Sequence, residues 1–260
     1  SVGSVLALGA VGIATLTMPL GWAALPALAA VCAAGAAVGA LNGALVARFR
    51  IQPFIVTLAT MVFARGLAKT VAGGKKVTNA VVGPDGGVHL VPHPRLFEVL
   101  DARVLGGDVA IVTLVFLACV AVTYVVLAHL RLGRYLYAVG GNAEAARLAG
   151  VPVRATLVAA YTLAGLFSAI AGVCQAAQET HGDPETGLGY ELDAIAMVVI
   201  GGTTLAGGRG GVGLTLLGAL TLGTLEKVLS INAFSTETRL MLTGVIVIGA
   251  VLFQRRGGRS

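Results

Sequence analysis

The chain has 260 residues, of which 57% are hydrophobic and only 12% charged, and its mean hydropathy is +0.90. Soluble domains carry about 25% charged residues, so this composition excludes an ordinary soluble domain. Glycine contributes 37 residues without a G-X-Y period, which excludes collagen, and the chain is too apolar to be disordered. The composition therefore predicts an all-α fold, namely a polytopic transmembrane helical bundle with closely packed helices.

Eight apolar segments could cross a hydrocarbon core, which requires about 20 helical residues. In chain order the eight segments are 1–18, 21–47, 53–72, 108–130, 156–178, 192–206, 211–227 and 239–254. The sixth and eighth are short, so a tilted, broken or re-entrant segment is the alternative to a simple span. Because the chain opens on an apolar run without a basic region, we expect a fragment whose true start lies upstream.

The charged residues in the connections predict which side of the membrane each connection faces. The connections after the second, fourth, sixth and eighth segments hold ten basic residues and one acid, Glu144. On the opposite side, the 73–107 connection has four bases and three acids, and the 179–191 loop has four acids and no base. Basic residues are retained on the cytoplasmic side, so the pattern predicts a cytoplasmic C-terminus. The net charge of +6 is explained in this way, and no nucleic-acid partner is expected.

Glycines recur at two places along the chain. Gly35, Gly39 and Gly43 form two overlapping GxxxG steps on one helical face, which we interpret as a close-packing surface between helices. Pairs of glycines surround Arg209 and favour a sharp turn between two spans. A phosphate-binding loop is rejected for these pairs because no GK[ST] follows them and no strand precedes them.

Catalytic chemistry finds little support in the sequence. The four histidines form no zinc-binding pair within the apolar segments, and Ser168 lacks a GxSxG context. Arg65 and Lys69 lie towards the end of the third segment, where long side chains reach the membrane interface. We therefore predict that the chain is not an enzyme and has no catalytic residue and no metal site.

The most informative segment is 132–155, between the fourth and fifth predicted spans. Asn142 can cap a short helix, and Glu144 suits the positive end of that helix. Gly150 can end the helix, and Pro152 prevents it from continuing. A short helix with a small apolar face on the cytoplasmic side favours docking to a partner protein, with a merely structural loop as the alternative.

Several strings of the sequence resemble motifs of one family of membrane transporters. The run from Glu144 to Gly150 resembles the EAA-xxx-G coupling motif of ABC importer permeases. Further strings resemble the ribose-type branch of the monosaccharide permeases: SVGS at 1–4, PFIVTLAT at 53–60, GRY at 133–135, GGN at 140–142 and GYELDAIA at 189–196. These strings occur in order over nearly the whole chain. The resemblance implies one transmembrane permease domain over 1–260, lacking its N-terminal spans, with 132–155 as the coupling segment.

The resemblance also implies a function. Two permeases, either two copies or a pair of paralogues, form the pore of an importer in the bacterial inner membrane. A separate ABC ATPase binds ATP and Mg and drives alternating access, while a periplasmic or lipid-anchored binding protein delivers the monosaccharide. The permease itself binds no cofactor. The residues implied to couple it to the ATPase are Glu144, Ala145, Ala146, Leu148 and Gly150.

The sugar itself is not identified, since ribose, xylose, arabinose, galactose and galactofuranose all fit this branch. Neutral hydrogen-bonding side chains bind sugars, so polar residues within or beside the spans are candidates for the substrate pathway. They are Asn42, Thr57, Thr60, Gln175, Gln178, Thr203 and Thr204. A satisfied contact between helices is the alternative for each of them. For the whole chain, the alternative function is a self-contained secondary transporter or facilitator of a small polar solute.

Overall fold

The computed structural model of the chain describes residues 1–82, 87–205, 207–232, 234–235, 238, 241–242, 244–246 and 249. These residues are predominantly helical, with two short antiparallel hairpins. The elements are α1 (Val2–Thr17), α2 (Ala24–Phe49), α3 (Pro53–Val71), β1 (Ala80–Val82), β2 (Val88–Leu90), α4 (Arg95–Asp101), β3 (Arg103–Val104), a 3₁₀ turn (Leu105–Gly107), β4 (Val109–Ala110), α5 (Ile111–His129), α6 (Arg131–Gly141), α7 (Ala143–Leu148), α8 (Val153–Glu179), α9 (Tyr190–Ile200) and α10 (Val212–Ile231).

Five of these helices are long and apolar enough to cross a membrane: α2, α3, α5, α8 and α10. The polytopic helical fold is therefore confirmed, but the predicted count of eight spans is not. The first predicted span is α1, which has 16 residues, and the sixth is α9, which has only 11. The eighth, 239–254, lies largely outside the described residues.

Local sequence explains where the first spans end. Arg50 adopts a left-handed conformation with φ of 55° and closes α2, and its amide donates to the Val46 carbonyl. Pro53 then occupies the first turn of α3, where its fixed φ suits a helix and its missing N–H costs nothing. Only three residues therefore join α2 to α3.

The described chain divides into two compact units. The first consists of residues 1–119 and 154–188, and the second of residues 120–153 with the described residues from 189 onward. In the first unit α1 contacts α2 and α3, and 11 of its 16 residues are buried, so α1 is a central helix despite its short length. The buried core around it is rich in alanine, including Ala10, Ala14 and Ala169, so the helices approach closely.

The GxxxG face of α2 packs against α8 in this unit. A methyl group added at Gly35 would lie 2.7 Å from the Gly165 carbonyl oxygen, and one at Gly43 would lie 2.6 Å from the Val158 Cα. A methyl at Gly39 would collide with the Tyr161 carbonyl. The two backbones therefore touch directly, which only glycine allows at these three positions.

The 73–107 connection is folded rather than extended. It holds the β1–β2 hairpin and α4, and the β3–β4 hairpin follows directly. Phe97 on α4 is 2% exposed and belongs with Leu100 to the core formed by α1, α2 and α8. This connection is thus anchored to the first unit by buried apolar side chains.

The second unit holds α6, α7, α9 and α10. Backbone contact also occurs here, because a methyl at Gly218 on α10 would meet the Met197 carbonyl on α9. Likewise, a methyl at Gly201 would lie 2.7 Å from the carbonyl carbon of Leu214. As a result, α9 and α10 pack as one tight helical pair.

Candidate functional site

The short helix α7 has the structure that the sequence predicts. The Asn142 Oδ1 atom accepts hydrogen bonds from the Glu144 amide at 3.0 Å and the Ala145 amide at 2.9 Å. The helix ends at Leu148, and Gly150 follows with φ of +81°. Residues other than glycine are strained in this backbone conformation. Both ends of α7 are therefore fixed by local sequence.

The surface of α7 is largely uncovered within the described chain. Ala146 is buried, whereas Ala145 and Ala149 are exposed. Leu148 is 77% exposed. Beside them the Arg147 Nε donates to Glu144 Oε2 at 3.2 Å. Together, the exposed face combines a leucine, two alanines and an ion pair, which suits a partially apolar protein partner.

Contacts connect α6, the helix before α7, to the turn between α9 and α10. The Tyr137 hydroxyl donates to the Gly210 carbonyl at 3.0 Å. A methyl at Gly140 would lie 2.7 Å from the Gly208 nitrogen, and one at Gly207 would lie 2.6 Å from the Gly140 oxygen. The α6 backbone therefore rests directly on this glycine-rich turn.

The predicted sharp turn around Arg209 is present, and two pathway candidates lie in it. The Thr204 hydroxyl donates to the Gly207 carbonyl at 2.9 Å, and the Thr204 amide donates to the Arg209 carbonyl at 3.1 Å. Thr203 packs against Gly210, where a methyl would lie 2.6 Å from the Thr203 Oγ1. Both threonines thus help to hold the turn.

Asn42 and Thr60 are brought together in the first unit. The Thr60 hydroxyl donates to Asn42 Oδ1 at 2.5 Å, and Asn42 Nδ2 donates to the Ser1 hydroxyl at 3.4 Å. Asn42 is 2% exposed. The pair therefore joins α2 to α3 by a partly buried polar contact.

The other pathway candidates differ in their surroundings. The Thr57 hydroxyl donates to the Phe54 carbonyl within α3 at 3.2 Å. The Gln175 amide donates to Glu179 Oε1 at 2.7 Å near the end of α8, whereas Gln178 is exposed. The structure therefore joins Asn42 to Thr60 by a hydrogen bond, whereas the side chains of Thr57 and Gln175 bond within their own helices.

The acidic loop between α8 and α9, residues 180–189, belongs to the first unit up to Leu188 and is held there by polar contacts. Arg65 Nη1 donates to the carbonyls of Pro184 and Thr186, both at 2.7 Å. The amide of Gly182 donates to the Val77 carbonyl at 2.9 Å. This loop is therefore ordered by contacts with α3 and with the segment that follows it.

Two ion pairs support the same loop. Lys69 Nζ lies 3.0 Å from Glu185 Oε1, and Lys76 Nζ lies 3.0 Å from Asp183 Oδ2. Partial burial alone would raise the pKa of Asp183, but the Glu185 amide and the Lys76 ammonium outweigh it and lower that pKa. The hydrogen bond from Lys76 to Asp183 in turn raises the pKa of Lys76. Both groups are charged at neutral pH.

Arg65 is expected to hold the α8–α9 loop more strongly than Lys69 does. Hydrogen bonds from a charged donor contribute about 1.5–3 kcal/mol, whereas exposed ion pairs contribute about 0–1 kcal/mol. Arg65→Ala should therefore markedly accelerate amide hydrogen exchange over 180–188, measured by mass spectrometry. Lys69→Ala, one helical turn away, is the matched control, and equal exchange rates in the two variants would contradict this ranking.

Sequence reasoning placed Arg65 and Lys69 at the membrane interface and missed their partners. Four acids and no base lie in the 179–191 loop on the same predicted side, so complementary charge was an available signal for the pairing of Lys69 with Glu185 but not for the two carbonyl partners of Arg65. The contact of Tyr137 with Gly210 had no such signal, because its partner is a backbone carbonyl. Within the described residues, no cluster of three or more His, Cys, Asp or Glu side chains could hold a metal ion.

The chain is similar in sequence to known membrane transport proteins. The profile of a family described as "Branched-chain amino acid transport system / permease component" matches residues 1–251. The Escherichia coli K12 ribose import permease protein RbsC is 40% identical over 260 residues, covering 98% of this chain and 76% of the relative. No solved structure matches.

More distant relatives are also named as sugar permeases. The L-arabinose transport system permease protein AraH of Escherichia coli K12 is 37% identical, covering 83% of this chain and 61% of the relative. The fructose import permease protein FruG of Bifidobacterium longum NCC 2705 is 34% identical, covering 85% of this chain and 64% of the relative. The ribose-type permease resemblance read from the sequence is therefore confirmed.

Proposed function

Because this chain belongs to the family of branched-chain amino acid transport system permease components, we propose that it is the membrane-spanning subunit of an ATP-driven monosaccharide importer. The chain is a multi-pass membrane protein whose relatives are named as import permeases, so it is a transport subunit and not a catalytic one. ATP with Mg would bind a separate ABC ATPase. The bacterial inner membrane is the proposed location, with the C-terminus in the cytoplasm.

The observation that carries the proposal is the uncovered surface of α7. Its helix is fixed by the Asn142 cap and by Gly150, so it presents Leu148 in a defined position. A rigid, partly apolar helix can insert into a groove of a partner without losing much conformational freedom. The proposed coupling residues are accordingly Glu144, Ala145, Ala146, Leu148 and Gly150, with Ala146 buried and the others exposed.

A binding protein on the other side would supply the monosaccharide, and the α8–α9 loop is the proposed place for it to dock. The loop is ordered by Arg65 and presents exposed side chains such as Glu185 and Leu188. A second permease, identical or paralogous, would complete the pore. Lipid would cover the exposed apolar side chains of spans such as α3.

The substrate pathway is proposed to run past the polar residues Asn42, Thr57, Thr60, Gln175, Gln178, Thr203 and Thr204. Asn42 and Thr60 already satisfy each other, so a sugar would have to separate them or be held by their neighbours. Gln178 is exposed and can contact a solute without breaking a bond within the described chain. A weak site is sufficient, because affinity can reside in the delivery protein.

Reconstitution tests the proposal directly. Liposomes carrying the permease, its ATPase and its binding protein should accumulate one labelled sugar from a panel of ribose, arabinose, xylose, galactose, galactofuranose and fructose, and only with ATP. Replacing both Glu144 and Gly150 should abolish this uptake while membrane insertion is unchanged, because the coupling segment loses the Glu144 carboxylate and the left-handed turn at Gly150. Uptake by the permease alone without ATP would instead identify a facilitator, and full uptake by the double variant would refute the coupling role.

A further inference from the structure

We propose that the glycine-rich turn at 207–210 receives the movement of the coupling segment and transmits it to the α9–α10 pair. Tyr137 and Gly140 act as positioning residues in this contact. The inference rests on the proposed function, since it requires a partner ATPase to displace α7. In this proposal, movement of α6 and α7 reaches α9 and α10 through non-covalent contacts. The covalent chain connects α6 and α7 directly only to α5 and α8.

The first step is the connection from α7 to α6. Asn142 is the only residue between the two helices, and its side chain is occupied in capping α7. Ala146 on α7 is buried, and α7 contacts α6. A displacement of α7 by a docked partner therefore moves α6 with it, because a single residue, Asn142, is too short a linker for the two helices to move independently.

The second step is the contact of α6 with the turn. The Tyr137 hydroxyl donates to the Gly210 carbonyl at 3.0 Å, and the Gly140 backbone packs against Gly207 and Gly208. Backbone-to-backbone contact has no flexible side chain between the two parts. Movement of α6 towards the turn therefore pushes on the turn, and the hydrogen bond resists movement away from it.

The third step is the stiffness of the turn. Gly207 and Gly208 have φ values of +90° and +74°, and the Thr204 hydroxyl and amide bond across the turn to Gly207 and Arg209. A loop with such internal hydrogen bonds transmits a push better than a solvated one. The role of Thr204 is thus to keep the turn in one conformation.

The last step is the tight packing of α9 on α10. Methyl groups at Gly201 and Gly218 would collide with the backbone of the facing helix, so the two helices move as a pair. Through the chain alone, α6 and α7 lead only to α5 and α8. The turn therefore gives the coupling segment a non-covalent connection to two further helices.

The test compares two variants with two matched controls in the complete reconstituted complex. Tyr137→Phe removes the hydroxyl, and Tyr135→Phe removes one from the same helix that makes no hydrogen bond within the described residues. Gly140→Ala adds a methyl against Gly208, whereas the methyl in Gly141→Ala has no atom within 4 Å among the described residues. ATP hydrolysis, sugar uptake and assembly with the ATPase are measured for all four variants.

We expect Tyr137→Phe and Gly140→Ala to lower sugar uptake about tenfold, within the range usual for coupling between sites, while ATP hydrolysis stays within about twofold. The ATP consumed per sugar therefore rises in these variants and not in the controls. A purely structural role would instead reduce assembly, hydrolysis and uptake together. Should Gly140→Ala fail to assemble, Tyr137→Phe alone decides the result.

Two negative outcomes have different meanings. A wild-type complex without ATP-driven uptake would overturn the proposed function and this inference with it. Wild-type uptake with an unchanged ratio of ATP to sugar in Tyr137→Phe and Gly140→Ala would overturn the inference alone.

Discussion

Replacing Leu148 by aspartate is expected to abolish ATP-driven sugar uptake while the permease still inserts and folds. Leu148 is 77% exposed, so the carboxylate stays hydrated in the free chain and changes its stability little. In the proposed complex the same position is covered by the ATPase, where an unpaired charge costs several kcal/mol. At about 1.4 kcal/mol for each factor of ten, we expect ATPase binding to weaken by at least about 100-fold.

Binding is measured by titrating the purified ATPase onto the permease in nanodiscs, with uptake assayed in parallel. Leu90→Asp is the matched control, since Leu90 is 76% exposed but lies in the β1–β2 hairpin. Leu148→Met keeps an apolar side chain and should retain binding. If Leu148→Asp bound the ATPase as tightly as the wild type does, α7 would not be the docking helix.

Gly39→Leu is expected to destabilise the first unit strongly. Overpacking costs about 1–3 kcal/mol where neighbouring side chains can shift. Here the new side chain would meet the Tyr161 carbonyl and the Thr162 Cα, and the backbone of a membrane helix cannot yield in the same way. We therefore expect the free energy of unfolding to fall by at least about 3 kcal/mol. The measurement is the thermal unfolding temperature in detergent, which should fall by a large amount.

Gly66→Leu provides the control for this substitution. Gly66 lies in α3, and a methyl group there would have no atom within 4 Å among the described residues. The change should be neutral or slightly stabilising, because glycine costs about 1 kcal/mol relative to alanine within a helix. Similar unfolding temperatures for the two leucine variants would contradict the close contact between α2 and α8.

The positions of the helices could largely be predicted from apolar runs, but the number of spans could not. Hydropathy alone treats 192–206 as one apolar segment, whereas α9 ends at Ile200 because Gly201, Gly202 and the residues after them turn the chain. Eleven helical residues extend about 16 Å, roughly half of a hydrocarbon core. The glycine pairs around Arg209 indicate a turn in this region, but hydropathy alone does not show that the helix ends as early as Ile200.

In the candidate site, features that depend on neighbouring residues could be predicted from the sequence, whereas contacts between distant residues could not. The cap at Asn142 and the left-handed Gly150 depend on neighbours within a few residues, so the sequence contains all that is needed to predict them. The contact of Asn42 with Thr60 depends on how α2 crosses α3. Its residues were identified as polar side chains within spans, but their pairing requires the packing of the helices.

Arg65 holds the α8–α9 loop through main-chain atoms, since both of its hydrogen bonds end on carbonyl oxygens. Such an anchor does not depend on which side chain Thr186 carries, because every residue supplies the same carbonyl. The exposed side chains of Glu185 and Leu188 are likewise not needed for these two bonds. The loop can therefore be given a new surface, by natural variation or by engineering for a different delivery protein, while its backbone keeps its path.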